Sequence, residues 1–375
     1  MQEKTFYQNI YNEAININLL NVWNTVWPIL VAILVFGLIV FIHEFGHFIF
    51  AKAFKIKVNE FAIGFGPAIL KFQKGETKYA IRILPFGGYC AMEGEDSDSN
   101  DERAFFKAKV WKRIIIVAAG AVFNILLGFI LMVSTVAVSG ATQQQNLIET
   151  TSIASFEKNA TTNKTGLKEK DQIIKMNGRR VFSVDEISYI LGTCEDNKVN
   201  LVVKRNGVKT ELNNVEFPQV TYEGRKMLSI DFYILGEKAT FTNCVKQGFW
   251  RTVSMGRIVF MSLGDLISGK FGLNEVSGPV GVAQVVSEAV SGAAVNGLVG
   301  LASLLKILCL ITVNLGVFNL LPIPALDGGR IWFLIIEWIK GSPVKREALV
   351  HSIGMVILLA FMVLIVFKDL WTWIF

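Results

Sequence analysis

His43-Glu44-Phe45-Gly46-His47 is the stretch of this chain whose residue types and spacing spell out a reaction. On a helix, histidines four residues apart share a face, and both imidazoles can reach one zinc ion. The glutamate beside the first histidine can then serve as general base on a water at that ion. The motif is embedded in apolar chain, residues 27–42 before it and 48–51 after it. Ionisable groups at membrane depth are costly and persist where they have a function. The pattern therefore implies a water-using metal site sunk in a bilayer.

Two histidines leave zinc one short of the three protein ligands of a catalytic site. A histidine six residues beyond His47 would complete one known pattern, but Ala53 stands there. Glu60 lies past the apparent helix among strand signals, and His351 begins a later apolar segment, where an interface suits it better. Asp327 is the best remaining carboxylate. It follows an apolar segment, Pro322 and Pro324 force non-helical backbone before it, and Gly328-Gly329 permit close approach. Irregular backbone at membrane depth is tolerated where it is buried in protein or lines a wet cavity. The plain alternative is a helix-ending turn with Asp327 capping the next helix. On these residues alone, both readings stand.

These residues have to be positioned by a membrane scaffold. The 375 residues are 52% hydrophobic, with mean hydropathy +0.46, and the apolar residues come in blocks. About 20 apolar residues cross a bilayer core, which predicts spans at about 28–51, 114–138, 297–320 and 350–367. Residues 1–26 are mixed polar without a basic cluster, so the first span reads as a retained anchor, not a cleaved signal. The four cysteines are scattered, which argues against a disulfide scaffold or a cysteine metal site; a Cys194–Cys244 bridge is left open. No basic run with interleaved aromatics points to nucleic acid.

Between the spans the pattern changes. Residues 56–95 hold short strands at 61–63, 69–72 and 78–84, joined by turn signals at Gly64-Phe65-Gly66-Pro67 and Lys74-Gly75-Glu76. An acidic loop follows at 93–102. Residues 141–235 form a small α+β domain, with hairpin signals at Asn177-Gly178 and Asn206-Gly207. Its helix starts at Ser183, with Glu186 completing a capping box. Residues 240–268 are helical and amphipathic, carrying Lys246, Arg251, Arg257 and Asp265, which suits a helix on the membrane surface. The expected organisation is thus two spans with a β-region over 1–140, the small domain over 141–235, then the amphipathic helix and two spans over 236–375. Lys52, Lys55, Lys57, Lys107, Lys109, Lys112 and Arg113 crowd one loop. Arg330, Lys340, Lys345 and Arg346 crowd another, and the N-terminal tail has only Lys4. Positive-inside places both loops in the cytoplasm and residues 141–296 outside.

Together these residues resemble the site-2 protease family of intramembrane zinc metalloproteases, closest to its bacterial regulator of sigma-E protease type. HEFGH matches the family's HExxH, and residues 319–329 match its NxxPxPxLDGG, which implies that Asp327 joins His43 and His47 on zinc while Glu44 is the base. Gly64-Phe65-Gly66-Pro67 and Leu84-Pro85-Phe86-Gly87-Gly88-Tyr89 look like its membrane-associated β-region. Trp111-Lys112-Arg113 with Ala119-Gly120 and Asn124 matches the start of its second span. Ser277-Gly278-Pro279-Val280-Gly281 matches a motif before its third.

The resemblance implies an α-helical membrane protein of about four transmembrane helices, with a small cytoplasmic-side β-region and an inserted extracytoplasmic PDZ domain at 141–235. It further implies a multi-pass protein of the bacterial cell membrane, performing regulated intramembrane proteolysis on single-span substrates such as anti-sigma factors or remnant signal peptides. A transmembrane helix has to be unwound to be cut. Strand addition near Gly64, Phe65 and Gly66 would hold it. Asn319 either binds that backbone or makes an interhelical hydrogen bond. The chain departs from the family in Ala121, where proline is usual, and in Thr165, where the PDZ usually has alanine. The second departure leaves peptide binding by the PDZ open.

Overall fold

The computed structural model describes residues 2–374 apart from 96–97, 143–145, 195, 223–224, 271 and 273–275. The chain opens with helix α1 (Gln2–Ala53), strands β1 (Val58–Lys74) and β2 (Thr77–Met92), and helix α2 (Val110–Thr142). A mixed segment follows: β3 (Leu147–Phe156), β4 (Gln172–Met176), β5 (Arg179–Arg180), α3 (Val184–Gly192), β6 (Lys198–Arg205) and β7 (Val208–Glu216). It ends with β8 (Gln219–Tyr222), β9 (Arg225–Leu228) and β10 (Phe232–Lys238). Helices α4 (Phe241–Ile267), α5 (Pro279–Leu320), α6 (Asp327–Lys340) and α7 (Glu347–Ile374) complete the chain.

Among the described residues, four helices are long and apolar enough to cross a membrane: Val26–Ala53, Val110–Thr142, Pro279–Leu320 and Glu347–Trp371. Each contains one span expected from hydropathy. The third runs further back than expected, to Pro279, but its helix is broken at Gly297, with φ 55° and ψ −129°. The residues from 297 onward are the span that hydropathy picks out.

The chain forms two compact units. The first takes residues 1–124, 276–300 and 318–375. Its β-region is a hairpin folded on itself: residues 58–63 pair on one side with 88–92 and on the other with 78–81, which in turn pair with 70–73. The reversals sit at Gly64 and Gly66, both with positive φ, and at Gly87. Residues 88–92 thus supply a strand beyond the three expected. The stretch read as a basic loop at 330–347 is a loop only from Gly341 onward, because α6 occupies 327–340. Leu326 in extended backbone starts this helix and left-handed Gly341 ends it. Its buried face carries Gly328, Gly329, Leu334 and Glu337, and Glu337 accepts a 2.5 Å hydrogen bond from buried Arg113 of α2.

The second unit takes residues 125–275 and 301–317. Its sheet runs β10-β3-β4-β6-β7, with β5 on β4 and a separate β8-β9 pair. In β6 the alternation expected of a half-buried strand appears directly, with Val199, Leu201 and Val203 buried. Asn177-Gly178 and Asn206-Gly207 take positive φ at both positions, as a tight hairpin turn requires. Ser183 caps α3 by accepting from the Glu186 N–H. The capping box is shifted by one residue, since the fully buried Glu186 carboxylate accepts from Phe182 N at 2.6 Å.

In this unit protein covers two faces of helix α4. Trp250 stacks on Phe182 and Arg257 donates to Glu186 at 2.7 Å. On another face Cys244, Met255 and Val259 join Met132, Val136, Cys309 and Val313 in one apolar cluster. All four cysteines are free thiols, so Cys194 and Cys244 are not bridged.

Candidate metal centre

In the first unit α1 carries His43 and His47 on one face, and both are buried. Their Nε2 atoms stand 3.3 Å apart. Asp327, the first residue of α6, completes the cluster: its Oδ2 lies 3.1 Å from His43 Nε2 and 3.4 Å from His47 Nε2. Among the described residues this is the group of histidine, cysteine and acidic side chains able to hold a metal ion. Asp327 is not the helix cap, since Leu326 holds that place. A carboxylate in the first turn is still favoured by the helix dipole.

The turn before Asp327 is built by neighbours that keep it rigid. Ala325 adopts a left-handed φ of 79°, and its N–H donates to His351 Nδ1 of α7 at 3.0 Å. A Cβ on Gly328 would sit 2.1 Å from the Leu321 carbonyl oxygen, so no larger residue lets α6 double back on the end of α5 here. His351 therefore supports the aspartate turn instead of ligating. His351→Phe keeps a ring against Phe333 and removes the acceptor. It is expected to cost about 1 kcal/mol of stability and to slow any reaction at the metal centre about fivefold. Thermal unfolding and turnover measured together check this, and unchanged values in both would remove His351 from the turn's support.

The donor set fits a zinc ion. Ligand atoms about 2.0–2.1 Å from a tetrahedral zinc stand roughly 3.3–3.4 Å from one another, close to the three separations above. The protonation pattern agrees. His47 Nδ1 lies 2.8 Å from the Ile116 carbonyl oxygen, and a carbonyl only accepts, so Nδ1 holds the ring proton. With Nδ1 holding the proton of a neutral ring, His47 Nε2 would offer its lone pair toward Asp327 Oδ2, 3.4 Å away. Facing lone pairs are stabilised by a cation between them.

Glu44 follows His43 and is not one of the three converging residues. A Cβ on Gly88 would come 3.4 Å from Glu44 Cγ, so the strand 88–92 passes directly beside this side chain. Gly64, Phe65 and Gly66 sit at the reversal after residues 58–63, outside the cluster. Asn319 is half-buried in the last turn of α5. Glu60 is engaged elsewhere, accepting from Arg82 at 2.6 Å. Burial opposes its ionisation, but hydrogen bonds with Tyr89 and Arg82 outweigh that and hold it below the usual carboxylate range. Burial, with Glu44 and Glu95 nearby, pushes the Cys90 thiol well above its usual range, leaving it a poor metal ligand.

Reading the sequence missed the wall behind the histidines. A Cβ on Gly120 of α2 would lie 2.4 Å from His47 Nε2 and 2.9 Å from His43 Cε1. One on Gly46 would lie 2.6 Å from the Ala119 carbonyl oxygen. Helices α1 and α2 therefore meet backbone to backbone at the motif, as small residues allow in membranes. Ala119-Gly120 and Asn124 stand out in the sequence only as part of a family resemblance, with no partner attached.

Residues 31–362 match the sequence profile of peptidase family M50. A provisionally named zinc metalloprotease of Clostridium acetobutylicum is 35% identical over 349 residues, covering 91% of this chain and 96% of that protein. One of Fusobacterium nucleatum is 34% identical over 358 residues, covering 91% and 98%. The regulator of sigma-W protease RasP of Bacillus subtilis is 28% identical over 422 residues, covering 90% and 97%. With this match along most of its length and a His-His-Asp cluster in an apolar helix bundle, the chain belongs to peptidase family M50 and is a zinc metalloprotease.

Proposed function

We propose that this enzyme hydrolyses peptide bonds within transmembrane segments of single-span proteins, using His43, His47 and Asp327 as zinc ligands and Glu44 as the proton carrier. The observation that carries this reading is the convergence of the three ligand atoms, all within 4.8 Å of one another, two of them carried by a helix long and apolar enough to span a membrane. Zinc held there supplies Lewis acidity toward the peptide carbonyl and the attacking water. Glu44 takes one proton from that water as the new C–O bond forms, then delivers it to the amine as the C–N bond breaks. The strand edge near Gly64, Phe65 and Gly66, with Asn319, would hold the unwound substrate backbone.

The relative named for sigma-W regulation supports membrane-anchored regulators of sigma factors as one substrate class, and remnant signal peptides are the other. Lysine and arginine bias supports a bacterial cell-membrane placement with the metal centre toward the cytoplasm and residues 141–235 outside. That domain, read as a single PDZ, would act as a gate that admits substrates already trimmed outside. The test compares membrane proteomes of cells with active enzyme and with Glu44→Gln. Single-span fragments are expected to accumulate with the variant. Indistinguishable fragment populations would end the proposal.

A further inference from the structure

The two metal-facing imidazoles each turn their other ring nitrogen toward α2. His47 Nδ1 meets the Ile116 carbonyl oxygen at 2.8 Å, and His43 Nδ1 meets Nδ2 of the buried Asn124 carboxamide at 3.2 Å. Gly120 lies between them against both rings. Residues 116, 120 and 124 are spaced i, i+4, i+8, so they form one stripe of a helix. His43 and His47 present the matching i, i+4 stripe on α1. One face of α2 thus addresses both rings at once.

For His43 the identity of the carboxamide atom decides whether the ring can bind a metal. With Nδ2 facing the ring, Asn124 donates its N–H to Nδ1, and the proton of a neutral imidazole would then sit on Nε2 and block it. A half-turn of the amide exchanges oxygen and nitrogen with little movement of other atoms. The oxygen then accepts from Nδ1–H, and Nε2 presents its lone pair to the same point as His47 Nε2 and Asp327 Oδ2. Metal-bound histidines are commonly held this way, and losing the outer partner typically costs 10–100-fold in affinity.

We infer that Asn124 is a positioning residue of the zinc centre: its carboxamide oxygen accepts from His43 Nδ1 and fixes the tautomer and ring orientation that let Nε2 bind the ion. This rests on the proposed His43, His47 and Asp327 ligand set.

The test measures zinc retained by the purified full-length protein against increasing concentrations of a competing chelator. Asn124→Ala is expected to weaken zinc binding about 10–100-fold, and Asn124→Asp, which keeps an acceptor oxygen, to stay within about threefold of wild type. Asn124→Ala holding zinc as wild type does would overturn the inference, as would Asn124→Asp losing it as fully as Asn124→Ala. Should Asn124→Ala fail to fold, Asn124→Ser, whose hydroxyl is too short to reach the ring, takes its place with the same outcomes. His43→Ala separates the two levels of the argument. If it too keeps its zinc, the ligand set is wrong; if only it loses zinc, the ligand set stands and the role of Asn124 falls.

Discussion

Glu44→Gln is expected to retain zinc at the wild-type level while cleavage of a single-span substrate falls about 10²–10⁴-fold, the range a general acid–base group contributes. Glutamine has the shape of glutamate, so the packing beside Gly88, where a Cβ would come 3.4 Å from Glu44 Cγ, survives the change. What disappears, on the proposed role, is the ability to take a proton from water and return it to the leaving amine. Glu44 is not among the three converging residues, so zinc content should not respond. Asp327→Asn provides the contrast, because it removes the proposed anionic ligand and should lower zinc content and cleavage together. Zinc retained with more than a tenth of the activity in Glu44→Gln would mean that another group carries the proton.

The parts of this arrangement that could be read from the chain are those encoded by local spacing. HEFGH declares two converging histidines because helical geometry turns a four-residue interval into one face. Asn206-Gly207 declares a turn because few other pairs take left-handed backbone twice in succession, and both residues have positive φ. Pro322, Pro324 and the glycine pair mark irregular backbone around Asp327, though only the fold brings its Oδ2 within 3.4 Å of the histidines. Helix α6 was hidden because Arg330, Glu337 and Lys340 make it read as a charged loop. The structure answers two of those charges within the protein, Glu337 with Arg113 and Arg330 with Glu95.

What local spacing cannot express is which residues meet side by side in a bundle. Asn124 and His43 are 81 positions apart, and Ile116 and His47 are 69 apart. Neither polar Asn124 nor apolar Ile116 advertises a partner. In a bilayer the hydrophobic effect does not choose between helix faces, so the choice falls to close packing and to polar pairing. Gly46 and Gly120 supply the packing, and the ring nitrogens supply the pairing. The same few residues therefore set both the approach of α1 to α2 and the tautomers of the proposed metal ligands.

That dual role makes Gly120→Ala a severe substitution for the metal centre. The added Cβ would stand 2.4 Å from His47 Nε2, 2.7 Å from His47 Cε1 and 2.9 Å from His43 Cε1. Ordinary carbon contacts need about 3.5–4.0 Å, so something has to move by roughly an ångström. If the rings rotate, their Nε2 atoms leave the point they share with Asp327. If α2 withdraws, the Ile116 carbonyl and the Asn124 carboxamide withdraw with it, and both histidines lose the partner that orients them. Either route degrades the same centre, so zinc affinity is expected to fall about 100-fold or more and cleavage to fall to background. Gly46→Ala strains the same helix crossing from the other side, but its Cβ meets the Ala119 backbone instead of a ring. It should cost about 1–3 kcal/mol of stability through overpacking, with a smaller effect on zinc. Zinc titration and thermal unfolding of both variants distinguish the two outcomes. A Gly120→Ala protein that keeps its zinc and its activity would mean that α2 does not press on the ligands as described.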